Sequence, residues 1–223
     1  MLRRLVFATA LSLGTLAVMP LQAQAQSAAA SAQNPGQLMQ SISSQLAAAI
    51  DGHRQQYKAH PEQLPGLVDS ILLPHFDVDY AAILVLGMHA REATPEQRSR
   101  FAKAFYNSLT HRYADGLLNF SSNRMKVLPF TGDANARRAV VRGQATLDNG
   151  KTAEVDFVFH KTASGDWKAY DVILEGISYI TNYRNQVDAQ IRKEGLDALI
   201  HSLETQGDHA LKQMEGNKPA GGK

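Results

Sequence analysis

The chain has 223 residues, with 23 Lys plus Arg against 21 Asp plus Glu, and it contains no cysteine. Lack of cysteine excludes disulfides, cysteine-ligated zinc or iron-cluster sites and a lipidated N-terminal cysteine, so an exported chain of this kind must draw its stability from a packed core. The near balance of charge leaves no electrostatic footprint for nucleic-acid binding.

Met1 to Ala25 reads as a secretory signal: Arg3 and Arg4, an apolar run from Leu5 to Val18, Pro20, and the small-residue site Ala23-Gln24-Ala25. The apolar run falls short of the ~20 residues that a membrane-spanning helix needs. Cleavage removes two of the 23 basic residues and none of the 21 acidic ones, leaving a formally neutral mature chain. Residues 26–36 are Ala, Ser, Gln and Pro with nothing large to bury and read as a flexible lead-in. Residues 37–214 have the size and pattern of a single domain, and 215–223, EGNKPAGGK, read as a disordered tail.

Within the domain the first half is helical in pattern. Leu38, Ile42, Leu46 and Ala49 or Ile50 form one apolar stripe; Leu64, Leu67, Val68, Ile71 and Leu72 form a second, ended by Pro74. Phe76 to Gly87 opens a third helix, whose core AAILVL is apolar almost all round and needs cover on more than one side. Thr94-Pro95-Glu96-Gln97 is a capping box with proline at the first helical position. The helix it opens presents Phe101, Phe105 (or Ala104), Leu109 (or Ser108) and Tyr113 on one face.

Four strands are predicted next, at 124–130, 138–147, 151–161 and 166–174, with Asp148-Asn149-Gly150 and Ser164-Gly165 as tight links. In the third strand Val155, Phe157 and Phe159 alternate with Glu154, Asp156 and His160. In the fourth, Trp167, Ala169, Asp171 and Ile173 point one way and Lys168, Tyr170, Val172 and Leu174 the other. The apolar period then switches to about 3.6 at Gly176 with no loop between: Ile177, Ile180, Tyr183 or Arg184, Val187 and Ile191 lie at helical spacing. The last helix runs from Ser178 to about Leu203, bent or divided at Gly195. Helices, strands and a closing helix give an α+β fold, with N-terminal helices and a C-terminal helix packed on a curved four-stranded antiparallel sheet. An apolar space between the layers is the place to look for function.

Chemical motifs are sparse. The histidines show no HExxH or HxH spacing, and His53, His60, His75, His89, His201 and His209 read as solvated residues. No glycine-rich phosphate loop occurs. Gly176-Ile177-Ser178 lacks the second glycine of a nucleophile elbow, because Ile180 stands in its place; Ser178 reads as an N-cap. Asp171 has two readings, a general base with its pKa raised by burial or a structural group pairing an arginine or capping a backbone. No second acid, base or nucleophile can be named beside it, so the structural reading is preferred.

Leu72 to Gly87 (LLPHFDVDYAAILVLG), Ala93 to Leu109 (ATPEQRSRFAKAFYNSL), Trp167 to Gln186 and Glu194 to Leu203 (EGLDALIHSL) together resemble the MlaC family. The resemblance spans essentially the whole mature chain. It implies an NTF2-like fold with a deep apolar pocket that takes the acyl chains of a phospholipid, in a soluble periplasmic carrier. It also implies partners: an outer-membrane lipoprotein–porin complex and an inner-membrane MCE-domain ABC transporter, between which the carrier shuttles lipid to maintain outer-membrane asymmetry. It implies no catalytic residue, metal or cofactor, and a monomer. Alternatives are a hopanoid-associated member of the same family, or an NTF2-like enzyme using Asp171 on a hydrophobic substrate.

The expected lipid-contacting residues are Tyr80, Leu84, Leu86, Phe105, Tyr113, Val155, Phe157, Phe159, Val172, Leu174, Ile177 and Ile180. Tyr80 and Tyr113 belong nearer the mouth, since a phenol hydroxyl seeks a polar partner. Ile173 replaces Val172 and Leu174 if the other sheet face is the concave one. Arg184, Arg138 and Arg142 are candidates for head-group or partner contacts, against the simpler reading as surface arginines.

Overall fold

The computed structural model describes residues 34–114, 116, 118, 124–133, 135–147 and 149–216; the predicted signal, most of the lead-in and the tail from 217 onward lie outside the described residues. Helix α1 (Pro35–Ala59) begins earlier than its stripe indicated. Asn34 Oδ1 accepts from the Gln37 amide at 2.9 Å while Gln37 Oε1 accepts from the Asn34 amide at 3.2 Å, a capping box with Pro35 at the first position. Pro35 and Gly36, read from sequence as lead-in, therefore belong to the helix, with Asn34 as its cap. The helix kinks at His53 (φ −130°, ψ 19°), beside Gly52. Helix α2 (Leu64–Ile71) stops before a 3-10 turn at Leu73–His75 that holds Pro74. Phe76 then makes a single parallel bridge to Ala169, and the Asp77 amide donates to the Ala169 carbonyl at 2.8 Å, pinning the chain to the sheet just before α3 (Val78–Leu86). Asp77 also caps α3 through Tyr80 N (3.0 Å). Helix α4 (Pro95–Ala114) opens on the Thr94–Gln97 box, with Thr94 Oγ1 to Gln97 N at 3.1 Å and Gln97 Oε1 to Thr94 N at 2.9 Å.

Among the described residues the sheet has five strands in sequential antiparallel order: β1 (Met125–Val127), β2 (Arg138–Thr146), β3 (Thr152–Lys161), β4 (Trp167–Leu174) and β5 (Ile177–Ser178). The fifth arises where a direct strand-to-helix joint was expected. Glu175 (φ 49°) and Gly176 (φ 78°) both take positive φ, as a two-residue I′ turn requires, and the chain reverses so that Leu174 faces Ile177 and Ile173 faces Ser178. Ile177 thus lies on a short edge strand and not on the helix.

Alternation along β4 also breaks. Val158 pairs with Asp171 but Phe159 pairs with Ala169, so Tyr170 is an extra residue in a β-bulge. Trp167 and Ala169 pack toward α1, whereas the residues after the bulge serve a different layer.

The C-terminal part is three helices, α5 (Tyr179–Glu194), α6 (Leu196–Gln206) and α7 (Asp208–Gly216). Gly195 (φ 88°, ψ 160°) makes the first break in a conformation open essentially to glycine alone, and Gly207 (φ 55°) makes a second that the apolar pattern did not signal. Glu215, read from sequence as the start of the tail, lies in the last turn of α7.

Among the described residues, apolar side chains collect in two clusters. One joins Leu38, Met39 and Ile42 of α1 to Ala139 and Val141 of β2, Phe159 of β3 and Trp167 of β4. The other is helical, built by α3 to α7 around Phe101, Phe105, Tyr183, Leu199, Ile200 and Leu211. Helix α3 is covered by α4, α5 and β4 but leaves Ile83 44% exposed, so its apolar surround is only partly enclosed.

Candidate functional site: an apolar cavity at the inner edge of the sheet

A cavity of about 490 Å³ opens where β4 meets the helices, within the size range of small-molecule sites. Val68 and Leu72 from α2 and its end, Phe76 and Val78, and Ala81, Ala82 and Val85 of α3 form one wall. Ala102, Phe105, Tyr106, Leu109, Thr110 and Tyr113 of α4 form the next. Tyr170, Asp171, Val172 and Leu174 from the bulged half of β4, with Tyr179, Ile180 and Tyr183 of α5, complete it. The small residues Ala81, Ala82 and Ala102 leave the space that larger side chains would fill. Leu174 and Tyr113 are 36% and 42% exposed and mark the opening to solvent.

The few polar groups in the wall are already engaged. Asp171, 8% exposed, accepts from Ser178 Oγ (2.7 Å) and from the Ile180 amide (3.1 Å), and Ser178 Oγ in turn accepts from Thr181 N (3.0 Å). The carboxylate is thereby spent on the first turn of α5, the capping role expected of it, with the positive helix end facing it. Tyr106 donates to Asp69 Oδ1 at 2.7 Å; burial first, and this acceptor second, push its pKa up, so it stays a neutral donor. At the opposite end, Tyr113 and Tyr183 hydroxyls lie 3.0 Å apart and both donate to Glu215 Oε1, at 3.3 and 3.0 Å. Arg112 Nε donates to the same oxygen at 3.1 Å, and its Nη2 donates to Oε2. Burial, with Tyr113 and Glu215 adding to it, raises the Tyr183 pKa as well. The wall therefore offers apolar surface and neutral phenols, with the Arg112–Glu215 pair bonded to the hydroxyls of two of those phenols from outside the lining. Among the described residues no group of His, Asp or Glu is placed to hold a metal ion.

The family model for the MlaC protein matches residues 40–205. The chain belongs to the MlaC family. Toluene tolerance protein ttg2D of Pseudomonas putida is 30% identical over 167 residues, covering 74% of this chain and 77% of that protein. The intermembrane phospholipid transport system binding protein MlaC of Haemophilus influenzae is 27% identical over 173 residues, covering 77% of this chain and 81% of that one. Among solved structures, a phospholipid-binding protein from Ralstonia solanacearum, in complex with a phospholipid, superposes with a TM-score of 0.70 at 26% identity, over 82% of this chain and 98% of that chain.

Of the residues expected to contact lipid in this MlaC-family chain, the structure brings Phe105, Tyr113, Val172, Leu174 and Ile180 to the cavity wall. Seven others stand elsewhere. Phe157 and Phe159 pack under α1 in the sheet's own cluster, and Val155, 8% exposed, shares their strand. Alternation had identified an apolar face correctly but could not say which layer covers it, and α1 does. Leu86 is 1% exposed inside the helical cluster, and Leu84 packs at that cluster's edge. Tyr80 stacks on His160 with ring centroids 4.3 Å apart, outside the cavity. Ile177, on β5 after the reverse turn, is 63% exposed. Val172 and Leu174, and not Ile173, line the space.

Sequence reasoning missed Val68, Val78, Tyr106, Tyr179 and Tyr183 as wall residues; the α4 face it drew did contain Leu109. Arg184, a candidate for head-group or partner contacts, donates from Nε to the Leu84 carbonyl at 2.6 Å near the end of α3. Arg138 Nε donates to Tyr170 OH at 3.2 Å. His89, expected to be solvated, is half-buried with Nε2 2.8 Å from Asp188 Oδ1, a partner 99 residues away that spacing rules cannot see.

Proposed function

We propose that this chain is a lipid carrier that holds phospholipid acyl chains in the cavity between β4 and helices α2 to α5. The observation that carries the reading is the wall itself: a roomy, open space lined by apolar side chains, whose polar groups are committed to one another or to helix ends. The names of the relatives in Haemophilus influenzae and Ralstonia solanacearum support phospholipid as the cargo class. The carrier works as a monomer in the periplasm, exported by the segment Met1 to Ala25. It moves lipid between an outer-membrane lipoprotein–porin complex and an inner-membrane MCE-domain ABC transporter. Among the described residues no helix is long and apolar enough to cross a membrane, which accords with a carrier that leaves the bilayer.

Energetics set the mode of action. Two acyl chains of about 15 methylenes, at ~0.8 kcal/mol each, cost roughly 24 kcal/mol to expose to water. That exceeds the roughly 18–21 kcal/mol reached by the tightest non-covalent complexes. Lipid therefore passes directly between bilayer or partner and cavity, and the cavity needs only to match the membrane in affinity.

Native mass spectrometry of the chain purified from the periplasm without detergent tests the reading, followed by denaturation and identification of what is released. A phospholipid in near one-to-one amount is the expected result. A released hopanoid would reassign the cargo, and an apo mass together with failure to load from liposomes would sink the carrier.

A further inference from the structure

At the tyrosine end of the cavity, wall and C-terminal helix meet on a single carboxylate. Glu215 receives the hydroxyls of Tyr113 and Tyr183 on Oε1, and the Arg112 guanidinium reaches both of its oxygens. A planar guanidinium fork that grips two carboxylate oxygens grips two oxygens of a phosphodiester equally well, and neutral phenols add further donors. Tyr113 and Tyr183 line the cavity, and the pair bonded to them is open to solvent: Tyr113 is 42% exposed, and the side chains of Arg112 and Glu215 are 20% and 27% exposed. An amphiphile whose chains enter the cavity past Tyr113 would bring its anionic group within reach of these donors.

We propose that Arg112, with the hydroxyls of Tyr113 and Tyr183, is a subsite for the phosphodiester of a lipid head group, and that Glu215 competes for it as an internal surrogate. This rests on the carrier reading. The Nε–Nη2 edge of Arg112 that grips Glu215 is also the edge a phosphodiester would grip, so the two anions compete for it. Leu211 and Met214, 0% and 3% exposed, keep the body of α7 docked, which confines the release to its last turn. Arrival of cargo is thereby reported at the C-terminal end of α7.

The test loads wild type, Glu215→Gln and Arg112→Gln from dioleoylphosphatidylcholine vesicles doped with dioleoylglycerol, which has the same chains and no phosphate. Glu215→Gln keeps an acceptor for the phenols and loses the competing charge; its phosphatidylcholine-to-diacylglycerol loading ratio rises by roughly fivefold over wild type, the scale of one partly exposed ion pair. Arg112→Gln lowers that ratio by a similar factor, and Arg112→Lys, which retains charge without the fork, falls between. Equal ratios in all four folded proteins would overturn the subsite while leaving the carrier intact. Failure of wild type to take up either lipid would overturn the carrier reading and the subsite with it. Hydrogen exchange separates the sources of phosphate: loss of protection in the last turn of α7 on lipid loading supports the surrogate, whereas the same loss with millimolar inorganic phosphate alone would reassign the subsite to the free anion.

Discussion

Asp171 shows how much hangs on one side chain at the junction of sheet and helix. It is buried in the cavity wall, yet both of its oxygens serve the start of α5, through Ser178 and the Ile180 amide. Ser178→Ala should lower stability by about 1 kcal/mol, the usual cost of an N-cap. Asp171→Ala should cost about 1–3 kcal/mol, because it strands a buried amide without an acceptor. Asp171→Asn retains an acceptor oxygen and should preserve lipid loading; urea melts and vesicle loading together check this set. A folded Asp171→Asn protein that no longer loads lipid would mean the carboxylate does more than cap. Both caps, at Thr94 and at Ser178, were legible in the sequence because their partners lie within a few residues. The His89–Asp188 and Asp77–His160 contacts were not, since each joins residues more than 80 positions apart.

Among elements, the turn between β4 and β5 governs the geometry of the wall. Gly176 sits at φ 78° with no heavy atom within 4 Å of where a Cβ would stand, so substitution there is penalised by backbone conformation and not by crowding. Gly176→Ala should cost about 1–2 kcal/mol. Gly52, in α1 and equally open, supplies the opposite case: Gly52→Ala should stabilise by about 0.5–1 kcal/mol. Thermal melts of the pair read both signs. Strands β2, β3 and β4 were located from sequence to within a residue or so, because alternation and the Asn149-Gly150 and Ser164-Gly165 turns bound them. The fifth strand was not, because a glycine after an acid at a change of period reads equally as the start of a helix. The bulge at Tyr170 escaped for a related reason: it is defined by pairing with β3, and a single strand's pattern contains no register.

For the molecule as a whole, Val172 of the cavity wall and Phe159 of the cluster under α1 serve different ends. Val172→Asp places a charge in the wall and should abolish lipid loading in a folded protein. Phe159→Ala, under α1, should cost about 3–5 kcal/mol of stability while the molecules that remain folded still load lipid. Acid acts on the helical side. Asp188, Glu204 and Asp208 are held below their ordinary carboxyl values, first by hydrogen bonds from His89, Arg100 and Lys212 respectively. Depressed carboxyls contribute stability that is present above their unfolded values and lost as pH falls through the folded ones. Their contribution should therefore decline below the ordinary values of 3.8 and 4.5, in chemical melts stepped through acid pH. These groups are solvent-facing, so the loss is small and shrinks further in high salt.

The two apolar clusters described above have a consequence for how the protein melts. One is made by α1 and the sheet and the other by α3 to α7, and the cavity wall draws on both, Leu72 flanking the first and Ala81, Val85 and Phe105 belonging to the second. A chain-filled cavity supplies contacts that belong to neither cluster alone, so the cargo acts as part of the interior and couples the two halves. In calorimetry the loaded protein should unfold as one cooperative unit, with van't Hoff and calorimetric enthalpies equal, while the stripped protein gives a ratio below unity or two resolved transitions. On the carrier reading proposed above, delivery of the lipid would leave behind a looser molecule than the one that arrived.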